Sequence, residues 1–266
     1  MRCDGWGASS RLLFAALVCI SGCSNNDYLS SARELDQSGA AEMARAQTLF
    51  NQGQADEANA AAQSAQDTLK RARDAYLAAR ADQSRDVAVL VEFAEFSERL
   101  QDHDLAGEAF ARAAKIEAER PDLWYRAARN FVEARGRYLD AAGEALDKAS
   151  QAGASEATAV PRADIEAIRG DLFAAIGLPG EAATHYASAL AESPDHARAR
   201  IGMAGAALQN GDVERSIELA ESFEQPTPAE GALLDRTLRA AFLASRRDRV
   251  VMPDTAPAQR ALAKVC

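Results

Sequence analysis

The residue types that commonly carry catalysis or bind metal ions are few and scattered in this chain. The three histidines, His103, His185 and His196, lie at no metal-ligand spacing from one another, from a cysteine or from an acidic cluster. Glu92 and Glu95 share a face of a predicted helix, but a chain with 40 acidic residues contains such pairs by chance. The sequence also has no phosphate-binding loop and no Gly-x-Ser-x-Gly elbow. We therefore expect no catalytic centre, metal or cofactor, and predict that the chain is not an enzyme.

The beginning of the chain has the order of a targeting segment. Arg2 and Arg11 supply positive charge, and residues 12–20 form an apolar run that is followed by Ser21 and Gly22. Nine residues of helix are too short to cross about 30 Å of hydrocarbon at about 1.5 Å per residue. This order predicts a secretory signal peptide over residues 1–22.

Ile20, Ser21, Gly22 and Cys23 together resemble the lipobox of bacterial lipoproteins. The resemblance implies that Cys23 is diacylated, becomes the new N-terminus and anchors the chain in the cell envelope, facing the periplasm. In that family, Ser24 instead of an aspartate after the cysteine implies transport to the outer membrane. The alternative is an ordinary signal peptide followed by an incidental cysteine. If Cys23 carries the lipid, Cys266 is the one free thiol left after residue 22, so no internal disulfide can form and the role of Cys266 stays open.

The charge balance argues against a nucleic acid partner. The chain has 30 basic and 40 acidic residues, for a formal net charge of −10. Phosphate binding needs clustered lysine and arginine, and no basic stripe is present. We therefore expect no nucleic acid among the partners.

Downstream of the targeting segment the pattern is helical and repetitive. Apolar residues recur at spacings of three and four, and no segment alternates in the manner of a strand. Gly177 recurs as Gly211 and Pro194 recurs as Pro228, each 34 residues later. This period indicates an array of helical hairpins.

Residues 163–196 resemble the tetratricopeptide repeat (TPR) position by position. The small, aromatic, turn and terminating residues of that repeat correspond to Gly170, Phe173, Gly177, Ala182, Tyr186, Ala189 and Pro194. Residues 197–230 form a weaker copy that keeps Ala204, Gly211 and Pro228. The resemblance implies an all-α fold, a TPR-like α-solenoid of four to six antiparallel helix hairpins.

The repeat frame extends upstream with slips in its register. Trp124, Ala128 and Phe131 fit the first helix of one unit, with a longer turn at residues 136–138, and helices are expected at 87–100 and 105–119. Before residue 85 the register stays open: residues 53–58 fit a turn and the start of a second helix, Ala72, Tyr76 and Ala79 fit another second helix, and the alternative is a long helix over 54–81. We expect an anchor and short linker at 23–32, one solenoid at 33–245 with a final capping helix at 229–245, and a tail at 246–266.

The repeat frame also indicates which residues face a partner, because the first helices of TPR hairpins line an inner concave surface. The positions so placed are Arg129, Glu133, Asp171, Arg198, Leu208 and Gln209. Their mixed charge favours a groove for a peptide or helix of another envelope protein. The resulting hypothesis is a lipid-anchored scaffold or adaptor. The alternative is an envelope lipoprotein that associates with copies of itself.

Overall fold

The computed structural model describes residues 25–152 and 158–221, together with positions 231, 235, 239 and 243. Within these residues every regular element is helical and no strand occurs. No helix of this part of the chain is long and apolar enough to cross a membrane. The chain divides into two compact units at residue 100. The single solenoid over 33–245 stays a prediction.

Within residues 25–100, the described part of the first unit, there are three α-helices. Helix α1 spans Asn25–Asn51, α2 spans Ala55–Ala78, and a short 3-10 helix at Ala81–Gln83 leads into α3 at Val87–Arg99. Residues 25–32, which the sequence placed in a linker, are therefore already helical, and Ala32 is fully buried. Gly53 adopts a positive φ of 79° in the tight α1–α2 turn, so the turn and the long second helix are both present.

A seven-residue repeat of small side chains holds the α1–α2 hairpin together. The buried positions are Ala32, Gly39 and Ala46 on α1 and Ala58, Ala65 and Ala72 on α2. Such small residues let two helices approach closely, as in a coiled coil whose seam is alanine. At Gly39 a Cβ atom would lie 2.6 Å from Leu69 Cγ, so the approach requires glycine there.

Helix α3 packs across the end of this hairpin that lies opposite the α1–α2 turn, which we call the base. The ring of Tyr76 contacts the rings of Phe93 and Phe96, with centroids 5.8 and 4.9 Å away. The Tyr76 hydroxyl donates a hydrogen bond to Glu92 (2.9 Å), and Arg33 donates two more to the same carboxylate (2.7 and 2.6 Å). The hydrogen bonds from Arg33 hold the pKa of Glu92 below its ordinary value.

The second unit is a succession of antiparallel helix hairpins. Up to residue 221, its helices are α4 (His103–Ile116), α5 (Pro121–Ala134), α6 (Leu139–Gln151), α7 (Arg162–Ile176), α8 (Pro179–Glu192), α9 (Ala197–Gln209) and α10 (Val213–Glu221). Each helix packs on the next, and α5 also contacts α7, as α7 contacts α9. This stacking of hairpins confirms the all-α, TPR-like fold for the described residues. The expected capping helix and tail, at 229–245 and 246–266, lie outside them except for the four isolated positions.

Residues 163–196 pack as the repeat requires. Gly177 ends α7 with a φ of 86°, and Ala182 and Ala189 are fully buried on α8. The buried ring of Tyr186 lies between two helices that carry glycine where they face it. A Cβ on Gly170 of α7 or on Gly202 of α9 would come closer than 3.0 Å to this ring. Tyr186 therefore locks three helices at a point that only glycine allows.

Two turns differ from the simple repeat. Pro121 is the first residue of α5, where its missing N–H costs no hydrogen bond. Between α5 and α6, Arg135 has φ 60° and ψ −160°, and Gly136 follows with φ 55°. That backbone region is essentially reserved for glycine, so the extra residue of this turn forces Arg135 into a strained conformation.

Candidate functional site

A shallow groove opens across the first helices of the hairpins in the second unit, α5, α7 and α9. Its volume is about 190 Å³. The lining residues, which define the groove here, are Val132, Glu133 and Arg135 from the end of α5, Asp171, Ala174 and Ala175 from α7, and Arg198 and Gln209 from α9. Three consecutive hairpins therefore contribute to one concave surface.

Four of the six residues expected to face a partner line this groove: Glu133, Asp171, Arg198 and Gln209. The other two, Arg129 and Leu208, are half-buried on α5 and α9 and do not line it. Arg129 shares a face of α5 with Glu133 but lies one turn earlier, and Leu208 precedes Gln209 by one residue and therefore faces another direction. The structure thus brings most of the proposed set together. Whether they bind a partner stays a prediction.

Three of these residues pair with one another across the groove. Arg198 forms an ion pair with Asp171 through Nε, and its Nη2 donates to Glu133 Oε1 at 2.9 Å. The Tyr186 hydroxyl donates to the other oxygen of Asp171 at 2.6 Å. One guanidinium therefore joins α5, α7 and α9, and the sequence did not reveal this bracing role.

Burial governs the electrostatics of this cluster. It raises the pKa of the Asp171 carboxyl above its ordinary value, despite the opposing effects of Arg198 and Tyr186. It likewise raises the pKa of the Tyr186 hydroxyl, and the charge of Asp171 adds to the effect. Burial lowers the pKa of Arg198, but Asp171 and Glu133 outweigh it, so the net shift is upward. Arg198 is therefore permanently charged and committed to its two carboxylates.

The chemistry left open in the groove comes from other residues. The side chain of Arg135 is exposed, and within the described part of the chain neither its guanidinium nor the Gln209 amide has a recorded partner. The small side chains of Ala174 and Ala175 line the same groove. The groove thus presents a free cation, a free amide and an apolar floor. Ala174 and Ala175 follow Asp171 by three and four residues, which was the signal available in the sequence.

The three histidines each have a side-chain partner in the second unit. His103 Nδ1 lies 3.0 Å from Asn130 Oδ1, and His185 Nδ1 lies 2.8 Å from Glu166 Oε2. His196 caps α9, because its Nδ1 accepts from the Ala199 N–H while its Nε2 lies 2.8 Å from Asp164. Because Nδ1 of His196 accepts a hydrogen bond, these contacts assign the proton of His196 to Nε2. Among the described residues no group of three or more metal-ligating side chains occurs.

Cys23, the proposed acylation site, lies outside the described residues. The signal peptide at 1–22 and the terminal thiol of Cys266 do as well.

Residues 175–229 match the family model described as "Tetratricopeptide repeat". No curated protein sequence matches the chain. Among solved structures, a tetratricopeptide repeat protein from Parabacteroides merdae is similar over 86% of this chain and 99% of its own, with 14% identity and a TM-score of 0.50.

Two further solved structures are similar to this chain. A thermophilic TPR protein from Thermus thermophilus aligns over 77% of this chain and 99% of its own, with 17% identity and a TM-score of 0.49. PilW, described as a widely conserved type IV pilus biogenesis factor, aligns over 85% and 99%, with 17% identity and a TM-score of 0.48. At such identities the likeness concerns the fold alone.

Proposed function

We propose that this chain is a scaffold of a bacterial cell envelope, anchored by lipid on Cys23, that binds a protein partner in the groove of the second unit. The match of residues 175–229 to the tetratricopeptide repeat model and the stacked helix hairpins support a protein-binding role. The observation that supports the groove most is its composition. Glu133, Asp171, Arg198 and Gln209 converge on one surface lined by three consecutive hairpins. The function is tethering and requires no chemical step.

The unpaired groups of the groove define what the partner offers. Arg135 and Gln209 suit a carboxylate, because both donate hydrogen bonds and Arg135 adds a positive charge. The floor of Ala174 and Ala175 leaves room for a small apolar side chain. We therefore propose that the groove takes a peptide or helix of another envelope protein, with an acidic residue beside an alanine or valine.

The ion pairs of Arg198 with Asp171 and Glu133 order the groove before a partner binds. Because Arg198 already ties α5 to α7 and α9, the surface is ordered before a partner arrives. A preordered surface loses less conformational entropy on association. Arg198 thus acts by positioning the groove, and removing it would disturb the fold and the binding together.

The test captures partners from cells after cross-linking of the full chain, with mass spectrometry to identify them. The groove variant carries Arg135→Ala and Gln209→Ala, both at exposed side chains. A matched control carries Arg112→Ala and Gln151→Ala, which are exposed on α4 and α6. We expect the parent and the control to capture one envelope protein that the groove variant does not capture. Equal capture by all three chains would reject the groove.

A third variant tests the groove without changing charge. Ala175→Phe fills the floor with a ring while leaving Arg135 and Gln209 in place. We expect it to reduce partner capture about as much as the double variant does. Capture that persists in Ala175→Phe but fails in the double variant would mean that the partner binds the polar rim and not the floor.

The lipid anchor is tested separately from the groove. Labelled fatty acid should be incorporated into the parent chain and not into Cys23→Ala, since acylation uses that sulfur. Fractionation of the two membranes then locates the anchored protein. Undiminished labelling of Cys23→Ala would remove the anchor from the proposal and leave the groove intact.

A further inference from the structure

A second surface stands out on the long hairpin of the first unit. Two rows of side chains run along one side of it at helical spacing. The row on α1 is Arg33, Asp36, Ala40, Met43, Gln47 and Phe50, and the row on α2 is Asn59, Ala62, Gln66, Leu69, Arg73 and Tyr76. Helix α3 covers the base of this side, where it contacts Tyr76 and pairs with Arg33 and Asp36.

The charges on this side occur only at its base. Arg33 pairs with Glu92, and Asp36 pairs with Arg99 at 2.5 Å. Toward the hairpin turn, the next four positions on each helix carry no charge. We call these eight residues the uncharged face: Ala40, Met43, Gln47, Phe50, Asn59, Ala62, Gln66 and Leu69.

The uncharged face is apolar at its centre and open to solvent. Phe50 is 66% exposed and Met43 is 38% exposed, although both are large apolar side chains. Leu69 and Ala62 are half-buried beside them, and exposed amides form the rim. The other side of the hairpin differs, because it carries Glu42, Arg45, Glu57 and Arg71. An apolar centre with few charges is the composition typical of a protein interface.

We infer that the uncharged face binds the same face of a second copy of this chain. Two identical chains of net charge −10 repel each other, and a two-fold contact sets each patch against its own copy. A surface without charge is where that contact meets the least repulsion. Two helices with an open apolar side also form half of a four-helix bundle, which a second hairpin completes.

The proposed contact between copies is continuous with the packing of α3 on the hairpin. Helix α3 packs on one side of α1 and α2 at the base, and the second copy packs on the same side of these helices nearer the turn. Eleven residues of helix span about 16 Å, and two helices are about 20 Å wide, which gives on the order of 300 to 400 Å² per copy. Stable dimers bury about 800 Å² per partner, so the association is weak and favours chains that are concentrated together.

The test measures association of the full chain with Cys3, Cys19, Cys23 and Cys266 replaced by serine, which removes acylation and disulfide formation as causes. Sedimentation equilibrium should show a reversible dimer for this parent at concentrations approaching about 1 mM. Met43→Glu with Phe50→Glu should weaken the dimer about tenfold or more, since four carboxylates then meet in the contact. The control, Ser38→Glu with Ser64→Glu, adds the same charge on the other side and should change it less than threefold.

A cross-linking measurement locates the contact even when the dimer is weak. In the same background, Gln47→Cys lies on the rim of the uncharged face and Ser38→Cys lies on the opposite side. A short bismaleimide should link Gln47→Cys into dimers and leave Ser38→Cys mostly monomeric. Any of three results would overturn the inference. The parent could be monomeric at the highest concentration, both charge pairs could weaken the dimer equally, or both cysteines could cross-link equally.

Vesicles of phosphatidylethanolamine and phosphatidylglycerol test the other occupant that an apolar face could have. One outcome is that the parent binds these vesicles, that Met43→Glu with Phe50→Glu abolishes this binding, and that no dimer forms in solution. That outcome would assign the face to a membrane and reject self-association. Absence of vesicle binding with a dimer that the same variant weakens supports the inference.

Discussion

Replacing Gly202 with alanine places a methyl group against the ring of Tyr186. The new Cβ would lie 2.7 Å from the hydroxyl oxygen of Tyr186 and closer still to ring carbons. That ring cannot retreat freely, because Gly170 faces it from α7 and its hydroxyl donates to Asp171 at 2.6 Å. The methyl group therefore overpacks the site and disturbs a hydrogen bond to a buried carboxylate.

Three contributions set the size of the effect. Overpacking costs about 1 to 3 kcal/mol, and a weakened hydrogen bond to a charged group costs about 1.5 to 3 kcal/mol. Against these, alanine is favoured over glycine within a helix by about 1 kcal/mol. We expect the free energy of unfolding of the second unit to fall by about 3 kcal/mol, with a decrease in melting temperature of about 6 to 12 °C.

Gly205 provides a control on the same helix. A Cβ added there would meet no heavy atom within 4 Å. Gly205→Ala should therefore raise the free energy of unfolding by about 0.5 to 1 kcal/mol through helix propensity alone. Urea titration followed by the fluorescence of Trp124, in a chain with Trp6→Phe, reports on the second unit. If Gly202→Ala is as stable as Gly205→Ala, Tyr186 does not lie between the two helices as described.

Three further predictions concern packing and charge. Ala182→Leu should lower the free energy of unfolding by about 1 to 3 kcal/mol, since Ala182 is fully buried, and an unchanged melting temperature would contradict this frame of the repeat. Arg198→Met should cost about 3 to 5 kcal/mol by leaving the Asp171 carboxylate buried without its cation, and adding Asp171→Asn should recover part of that loss in urea titrations. The lowered pKa of Glu92 contributes stability that is complete above its ordinary value of 4.5 and is lost as the pH falls through the lower folded pKa. Glu92→Gln should therefore flatten the acid side of a plot of urea midpoint against pH, and parallel curves would show that Glu92 adds no such stability.

The sequence was sufficient for the second unit because a few residue types dictate its local geometry. Gly177 and Gly211 allow positive φ, and the repeated small residues allow close packing, so spacing alone revealed the hairpins. The first unit was harder to place because its period is seven and not 34. Ala32, Gly39 and Ala46 carry that period, but in an alanine-rich chain these residues do not stand out.

The sequence predicted most residues of the groove but not the ion pairs between them, because those pairs depend on the distances between repeats. Helical spacing placed Glu133, Asp171 and Arg198 on the right helices. It could not show that Arg198 pairs with both carboxylates, because such pairing requires the separation of three helices. Arg135 escaped notice because its position depends on the strained turn between α5 and α6.

The alanine seam of the α1–α2 hairpin has a consequence for how the gene can change. A single base change in an alanine codon yields valine, threonine, serine, proline, aspartate, glutamate or glycine, and only glycine is smaller than alanine. At Ala46, Ala58 or Ala65, nearly every one-step change that alters the residue therefore adds atoms between two helices that touch. A scan of single-nucleotide variants should find these seam positions among the least tolerant of the chain, while the neighbouring exposed alanines such as Ala44 accept most changes.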